Sequence, residues 1–409
     1  MDWSQNMPRV KGADILIITG DYPPTLKGVG DYSCHVARAL ARRGGNVEVL
    51  TTATSGIPSP DLDSDHLAIH RDIRTWTFSD LPRVFSLLKT QKEAIVNIQY
   101  YCPTTYRRHL MINFLPAIIR CAFRHVRTVV TMHGFWEQSH LYRLRCLPML
   151  RAAHGIVFVD RKNTDLLRLF AGKHVAMRWI PISGNIPPIP CDSRQRLCCR
   201  QELGIEPNQV VVAFFGGIAR IKGFEYLVHA IERVRNTENL PVTLLAIGGF
   251  HADGVNREYQ KGIAELIAQS ARGSWIKVVS SPPPTLVSRL LHASDIGAFP
   301  FINGVAENSG STLAALQHGL PTITTRGTAQ MPEPFGTLAV PARDVNSLAD
   351  AISRLARSEA LRVETGRRSM EAMSHFTWDA IAESLLSFFA ELVGTTIKPS
   401  TTTSVVSQK

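Results

Sequence analysis

GVAENSGSTLAALQHGLPTITT, residues 304–325, is the stretch on which the reading of this chain turns. It follows an apolar run ending in Pro300-Phe301. Glu307 comes first. A small polar turn, Asn308-Ser309-Gly310-Ser311-Thr312, then leads into a helix, Leu313-Ala314-Ala315-Leu316, that stops at Gly319 with Pro321 beyond it. The β-branched run Thr322–Thr325 follows. A turn of small residues opening a helix beside a strand end suits a phosphate: free N–H groups point outward, the helix dipole favours an anion, and small side chains allow close approach. The same residues also fit an ordinary capped helix between two strands, and the stretch alone leaves both readings open.

Working outward, the chain repeats a strand-helix rhythm. Ala13–Thr19 reads as a buried strand bounded by Gly20, followed by a loop to Gly30 and a helix over Asp31–Arg43 with Asp31 as N-cap. Further strands are predicted at Val47–Thr52, Ala94–Gln99, Thr128–Met132 and Ile156–Val159. The Pro- and Gly-rich run Ile180–Asp192 reads as a linker. The pattern restarts at Val210–Phe215 and continues through Val242–Ile247, Ile276–Val279, Ile296–Phe299 and Leu338–Val340. Two such halves predict an α/β protein of two Rossmann-like, doubly wound domains, 1–185 and 186–375, facing a cleft, with ligands at the carboxyl ends of the strands. An amphipathic helix over Trp378–Val393 follows, and the polar tail 394–409 reads as disordered.

The composition bounds the function. With 409 residues and 44% hydrophobic content the chain fills two cores. No apolar run of about 18 residues suggests a membrane span, and the start MDWSQNMPRVKG has no apolar segment of a secretory signal. Seven scattered cysteines without CxxC spacing argue against a disulfide framework or a zinc site and fit a reducing cytoplasm. The net charge of +11 is uneven: residues 1–190 hold 24 Lys and Arg against 14 acids, and 94–159 hold eight arginines against Glu137 alone. That field favours an anionic partner. No stripe of interleaved arginine and aromatic residues points to nucleic acid.

Residues 304–325 also resemble the nucleotide-sugar loop of GT-B glycosyltransferases of the retaining type called family 4. Asp295, Pro300-Phe301, Glu307, Gly310, Gly319 and Pro321 fall into that pattern. The resemblance spans about residues 14–393 and implies the GT-B fold, with the helix at 376–393 crossing back to the first domain. It implies that Glu307, Ser309, Gly310, Ser311 and Thr312 hold the donor sugar and its diphosphate. One departure stands out: the second glutamate of the family motif is replaced by alanine at 314 and 315. Ribose recognition is then weaker or placed elsewhere.

Other positions carry candidate chemistry. Gly28-Val29-Gly30 is a GxG turn without a third glycine, which a tight turn explains as well as a ligand does. The resemblance assigns Gly28 and Gly30 to the donor phosphates. Gly216–Gly223 resembles Gly-Arg-Leu-x-x-x-Lys-Gly, with Lys222 matching, Gly217 in the arginine position and Arg220 near enough to compensate. Lys222 would neutralise a departing diphosphate. His133 ends a strand, and the resemblance places it at the donor sugar; His133, Lys222 and Glu307 are the catalytic candidates. Gln99-Tyr100 resembles the acceptor side of some bacterial members. The segment Thr105–Arg124 reads as a basic amphipathic helix. Either its apolar face is buried and its arginines solvated, or Arg107, Arg108, Arg120 and Arg124 touch anionic lipid heads.

The expected function is transfer of a sugar from a nucleotide-sugar donor to a polysaccharide or lipid-linked acceptor, with retention and without metal or other cofactor, since no DxD pair stands at a strand end. The site of action is the cytoplasm or the inner face of the membrane. A degenerate nucleotide-sugar-binding scaffold and a GT-B epimerase are the alternatives. No nucleic-acid partner is expected.

Overall fold

Short runs of Val, Ile and Leu form two parallel sheets, one in each of two units. The computed structural model describes residues 14–394 apart from 26, 58, 60, 65, 90–93, 102–105, 107–108, 136–138, 163, 251–256, 271–273, 329–330 and 332–334. Arg107, Arg108 and almost all of the polar tail therefore lie outside the described residues. The chain divides into Met1–Ile182 with Trp378–Lys409, and Ser183–Thr377.

The first unit holds β1 (Asp14–Thr19), β2 (Asn46–Thr52), β3 (Asp61–Ser64), β4 (Leu67–Ile73), β5 (Ala94–Tyr100), β6 (Arg127–Met132), β7 (Gly155–Phe158) and β8 (Ala176–Trp179). Their order is β3-β4-β2-β1-β5-β6-β7-β8. Only β3 runs antiparallel, on β4. Sequence reading missed this hairpin because Asp61-Leu62-Asp63-Ser64 has no apolar run; its acids suit an exposed edge. The chain builds outward from β1 on one side, then returns to β5 on the other. A topological switch thus lies between β1 and β5, where open α/β sheets bind ligands.

The first helix runs from Gly28 to Arg42, three residues earlier than expected. Lys27, with extended backbone, takes the N-cap position, and Asp31 lies in the first turn, where its charge suits the dipole. Tyr32, Val36, Ala39 and Leu40 are buried on one face of this helix, at the i, i+4, i+7, i+8 spacing that faces a core. The helix Trp378–Val393 packs in the same core, placing Trp378, Ile381, Leu385 and Phe388 with Ile15, Ile17 and Val36. Gly155 allows this: a Cβ there would lie 2.8 Å from both Phe388 and Leu392.

The expected basic helix is shorter than 105–124. It runs Met111–Ala122. Met111, Ile112, Leu115 and Ile119 turn to the sheet, whereas Leu110 and Phe114 are 50% and 40% exposed. The apolar residues thus split between two faces. Arg120 and Arg124 are exposed.

The second unit holds β9 (Val210–Phe215), β10 (Val242–Gly248), β11 (Ile276–Ser280), β12 (Ile296–Phe299), β13 (Thr322–Arg326) and β14 (Leu338–Pro341). They pair in parallel in the order β11-β10-β9-β12-β13-β14. The switch here lies between β9 and β12. Asp295, just before β12, accepts from Arg196 and Arg200 at 2.5 Å each and from the Val211 N–H at 2.7 Å. This residue of the family pattern locks β12 to β9.

Candidate active site

In the second unit the loops leaving β9 and β12 meet at the switch point. Gly216 leaves β9 with φ +136°, a conformation that favours glycine. The Gly216 and Ile218 N–H groups donate to the Ile247 and Gly249 carbonyls at 2.9 Å each, which suspends Gly217 between them. A 3-10 turn, Arg220–Lys222, ends at Gly223 in the left-handed region. A Cβ at Gly223 would sit 2.2 Å from the Pro300 carbonyl oxygen, so only glycine fits. The Ile302 N–H donates to the Ile221 carbonyl at 3.1 Å and joins the two loops.

This junction sets the Lys222 ammonium over the Phe301 ring, 3.6 Å from its centroid. Burial pushes the ammonium down to about 8 from its ordinary value near 10.5. Arg220 lies elsewhere, over the Tyr259 ring with its Cζ 5.3 Å from the centroid, and Tyr259 donates to the Glu225 carboxylate.

The helix expected to begin at Leu313 begins at Gly310 and ends at Gln317. Gly310, Ser311 and Thr312 therefore form its first turn, and their N–H groups have no partner within the helix. Ser309 stands at the N-cap, but its hydroxyl pairs with the Thr312 hydroxyl at 2.9 Å and caps no backbone group. Ser311 lies beside the β9 loop, since a Cβ on Gly216 would come within 3.9 Å of its Oγ. Glu307 is half-buried in the preceding turn. Ala314 and Ala315, where the family has its second glutamate, are fully buried. Ala314 packs against Gly184, and Ala315 lies under Gly297 of β12. Neither position faces solvent.

In the first unit, Gly30 packs on the turn after β1. A Cβ there would meet the Asp21 and Tyr22 backbone at 3.1–3.2 Å, whereas one on exposed Gly28 would meet nothing within 4 Å. Lys27 pairs with Asp21 at 2.8 Å, and Arg71 donates to the Pro23 carbonyl at 2.8 Å. His133 follows β6. Its ring meets Tyr32 edge to face at 4.6 Å, and its Nε2 lies 2.8 Å from Gln99 Oε1. Burial pushes the imidazole down to about 3, so it is neutral at physiological pH.

The Gln99-Tyr100 pair, which the resemblance put on the acceptor side, is fully buried in β5. Tyr100 accepts from Asn113 Nδ2 at 2.9 Å and stacks on Tyr106. Arg145, not singled out in the sequence, ties Tyr106 and His109 by donating to both carbonyls and, at 2.9 Å, donates to Asn113 Oδ1.

The family model described as glycosyl transferases group 1 matches residues 209–358, and that of glycosyltransferase family 4 matches residues 26–181. The chain belongs to the GT-B glycosyltransferases.

Among relatives of this glycosyltransferase, the D-inositol 3-phosphate glycosyltransferase of Xylanimonas cellulosilytica is 24% identical, over 94% of this chain and 98% of its own. That of Corynebacterium jeikeium is 27% identical over 58% of this chain and 57% of its own. Sucrose-phosphate synthase from Thermosynechococcus elongatus superposes with a TM-score of 0.74 at 19% identity, over 94% of this chain and 100% of that one. Anabaena HepE in complex with UDP-glucose gives 0.70 at 15% identity, over 92% and 99%. These two structures share the glycosyltransferase's fold.

Proposed function

We propose that this glycosyltransferase moves a sugar from a nucleotide-sugar donor to a polysaccharide or lipid-linked acceptor with retention of configuration, in cell-envelope or exopolysaccharide synthesis. The observation that carries the donor side is the setting of Lys222. It is a desolvated ammonium at the β9–β12 switch, in a unit that also presents the uncapped first turn of the Gly310 helix. Both suit a diphosphate. Glu307 binds a sugar hydroxyl, and neutral His133 accepts a hydrogen bond from a substrate hydroxyl. The anomeric carbon breaks its bond to the phosphate oxygen and bonds to the acceptor oxygen. The departing phosphate oxygen takes the acceptor's proton, so catalysis is mainly positioning and charge stabilisation.

The acceptor carries negative charge. This reading is supported by the excess of basic residues in the first half of the chain and by the relatives' printed name, which specifies an inositol phosphate. A lipid-linked acceptor places the enzyme at the inner face of a membrane. Exposed Leu110 and Phe114 at the start of the Met111 helix, with exposed Phe78 of the preceding 3-10 turn 6.4 Å from the Phe114 ring, favour that placement. So do exposed Leu141 and Leu144 on the short helix that Arg145 ties to it. No described helix is long and apolar enough to cross a membrane. A phosphorylated polyol is the second reading, favoured by the relatives' name.

A nucleotide-release screen tests the proposal. UDP-, GDP- and ADP-sugars are offered with extracted lipids, with glycans or with inositol phosphate. Release that depends on one acceptor supports transfer and identifies its class; binding of every donor without release sinks it in favour of a scaffold.

A further inference from the structure

The far end of the helix Gly310–Gln317 is gripped by a closed set of hydrogen bonds. Gln317 Nε2 donates to Ser183 Oγ at 2.8 Å and to the Phe376 carbonyl at 3.0 Å, and Ser183 Oγ donates to the same carbonyl at 2.5 Å. The roles are forced: a carbonyl only accepts, so the amide must turn its nitrogen, with two hydrogens, to this corner. Ser183 is the first residue of the second unit and Phe376 the last but one, so one side chain holds the unit's entry and its exit. The entering chain then runs along the helix. A Cβ on Gly184 would lie 2.7 Å from the Ala314 backbone, so glycine alone allows that approach. Asn185 donates its N–H to the Gly310 carbonyl at 3.4 Å. Ser288 accepts from the Ile189 N–H at 3.0 Å and lies 2.8 Å from Nε2 of His318, the C-cap of the helix.

We propose that Gln317 is a positioning residue for the donor: by tying the C-terminal end of this helix to the entry and exit of the second unit, it holds the first-turn N–H groups of Gly310, Ser311 and Thr312 in place for the diphosphate. This role rests on the reading above that the first turn binds the diphosphate. Leu313, Ala314, Ala315 and Leu316 are fully buried, but apolar contact has no direction and lets a short helix slide or turn in its seat. The hydrogen bonds of Gln317 remove that freedom, because each fixes a distance and an angle. The helix has eight residues and so spans about 12 Å. A shift at Gln317 therefore reaches Gly310 undiminished, and a misplacement of about 1 Å at a reacting group costs on the order of 10²-fold. Gln317 touches no ligand in this account; it acts through the helix.

The test separates diphosphate binding from nucleoside binding, a split that general loosening of the unit would not produce. UDP, GDP and ADP are titrated into the full chain, and whichever binds most tightly is compared with its bare nucleoside in each variant. Gln317→Met keeps the length and removes both donors, while Ser183 still donates to the Phe376 carbonyl, so no group there is orphaned. It is expected to weaken the diphosphate about tenfold and the nucleoside less than twofold. Ser183→Ala, which cuts the tie to the entering chain alone, is expected to weaken the diphosphate about threefold with the same split. Equal losses for both ligands, or a diphosphate affinity within twofold of wild type in Gln317→Met, overturn the proposal. If that variant does not fold, Ser183→Ala decides: a loss confined to the diphosphate supports the proposal and any other result overturns it. Ser311→Asp sets a carboxylate in the first turn, which suits the helix dipole but repels an anion. Undiminished diphosphate affinity in that variant removes the turn from the site and the role of Gln317 with it. Weakened affinity there beside an unaffected Gln317→Met overturns the role of Gln317 alone.

Discussion

The Lys222 ammonium rests on the face of the Phe301 ring rather than on a carboxylate, 3.6 Å from its centroid. Desolvation is the one cause of its lowered basicity, and among the described residues Lys222 makes no ion pair. The aromatic face holds the cation in place, an interaction of about 2 kcal/mol when desolvated, yet leaves its charge uncancelled for an arriving anion.

Lys222→Ala is therefore expected to lower kcat/KM by about 10²-fold, the usual scale for loss of one group that stabilises developing charge. Binding of a nucleoside diphosphate should weaken, while the bare nucleoside binds as before. Steady-state kinetics and calorimetry check both. Wild-type turnover in the variant would remove the lysine from the site.

The same residue sets a pH dependence. Its folded value is about 8, below the ordinary 10.5. The protonated form binds the diphosphate, so affinity should be constant below pH 8 and fall above it, by up to tenfold per pH unit. Between 8 and 10.5 the unfolded chain holds the proton that the folded chain has lost, so this group's contribution to stability rises with pH across that window. Lys222→Met should flatten both curves, as diphosphate titrations and melts from pH 7 to 10 would reveal.

If Glu307 holds a sugar hydroxyl, Glu307→Ala should weaken the nucleotide sugar about tenfold and the free nucleotide hardly at all. Calorimetric titration of both ligands decides. Equal losses would place the contact on the nucleotide or make it structural.

Asp295 joins β12 to β9 through two arginines and a backbone N–H. Asp295→Ala leaves Arg200, nearly buried, without its counter-charge. A loss of about 3–5 kcal/mol is expected, typical of a broken buried pair. In a unit of this size each kcal/mol lowers Tm by about 2–4 °C, which a thermal melt measures.

The sheets were largely legible in the sequence because parallel strands, buried on both faces, read as unbroken Val, Ile and Leu runs such as Val210–Phe215. β3 was not, because an acidic edge strand lacks that signature. Lys222 and the turn at 308–312 were legible through local spacing and the family resemblance. The Phe301 contact was not, because it joins loops about 80 residues apart that only the β9–β12 pairing brings together. Asn97 and Gln99 did carry a signal, two amides at alternate positions of an otherwise apolar strand. Their partner His133 follows another strand, so the pattern alone could not say what they served.

The Trp378–Val393 helix completes the core that begins at β1, and Gly155 is shaped to receive it. The first unit is thus assembled from both ends of the polypeptide, whereas the second is continuous. On the ribosome the continuous unit can finish folding while the first waits, its groove beside Ile15, Val36 and Gly155 still open, until the last helix emerges. Protease protection of nascent chains should accordingly reach the second unit before the first, although the first is synthesised earlier.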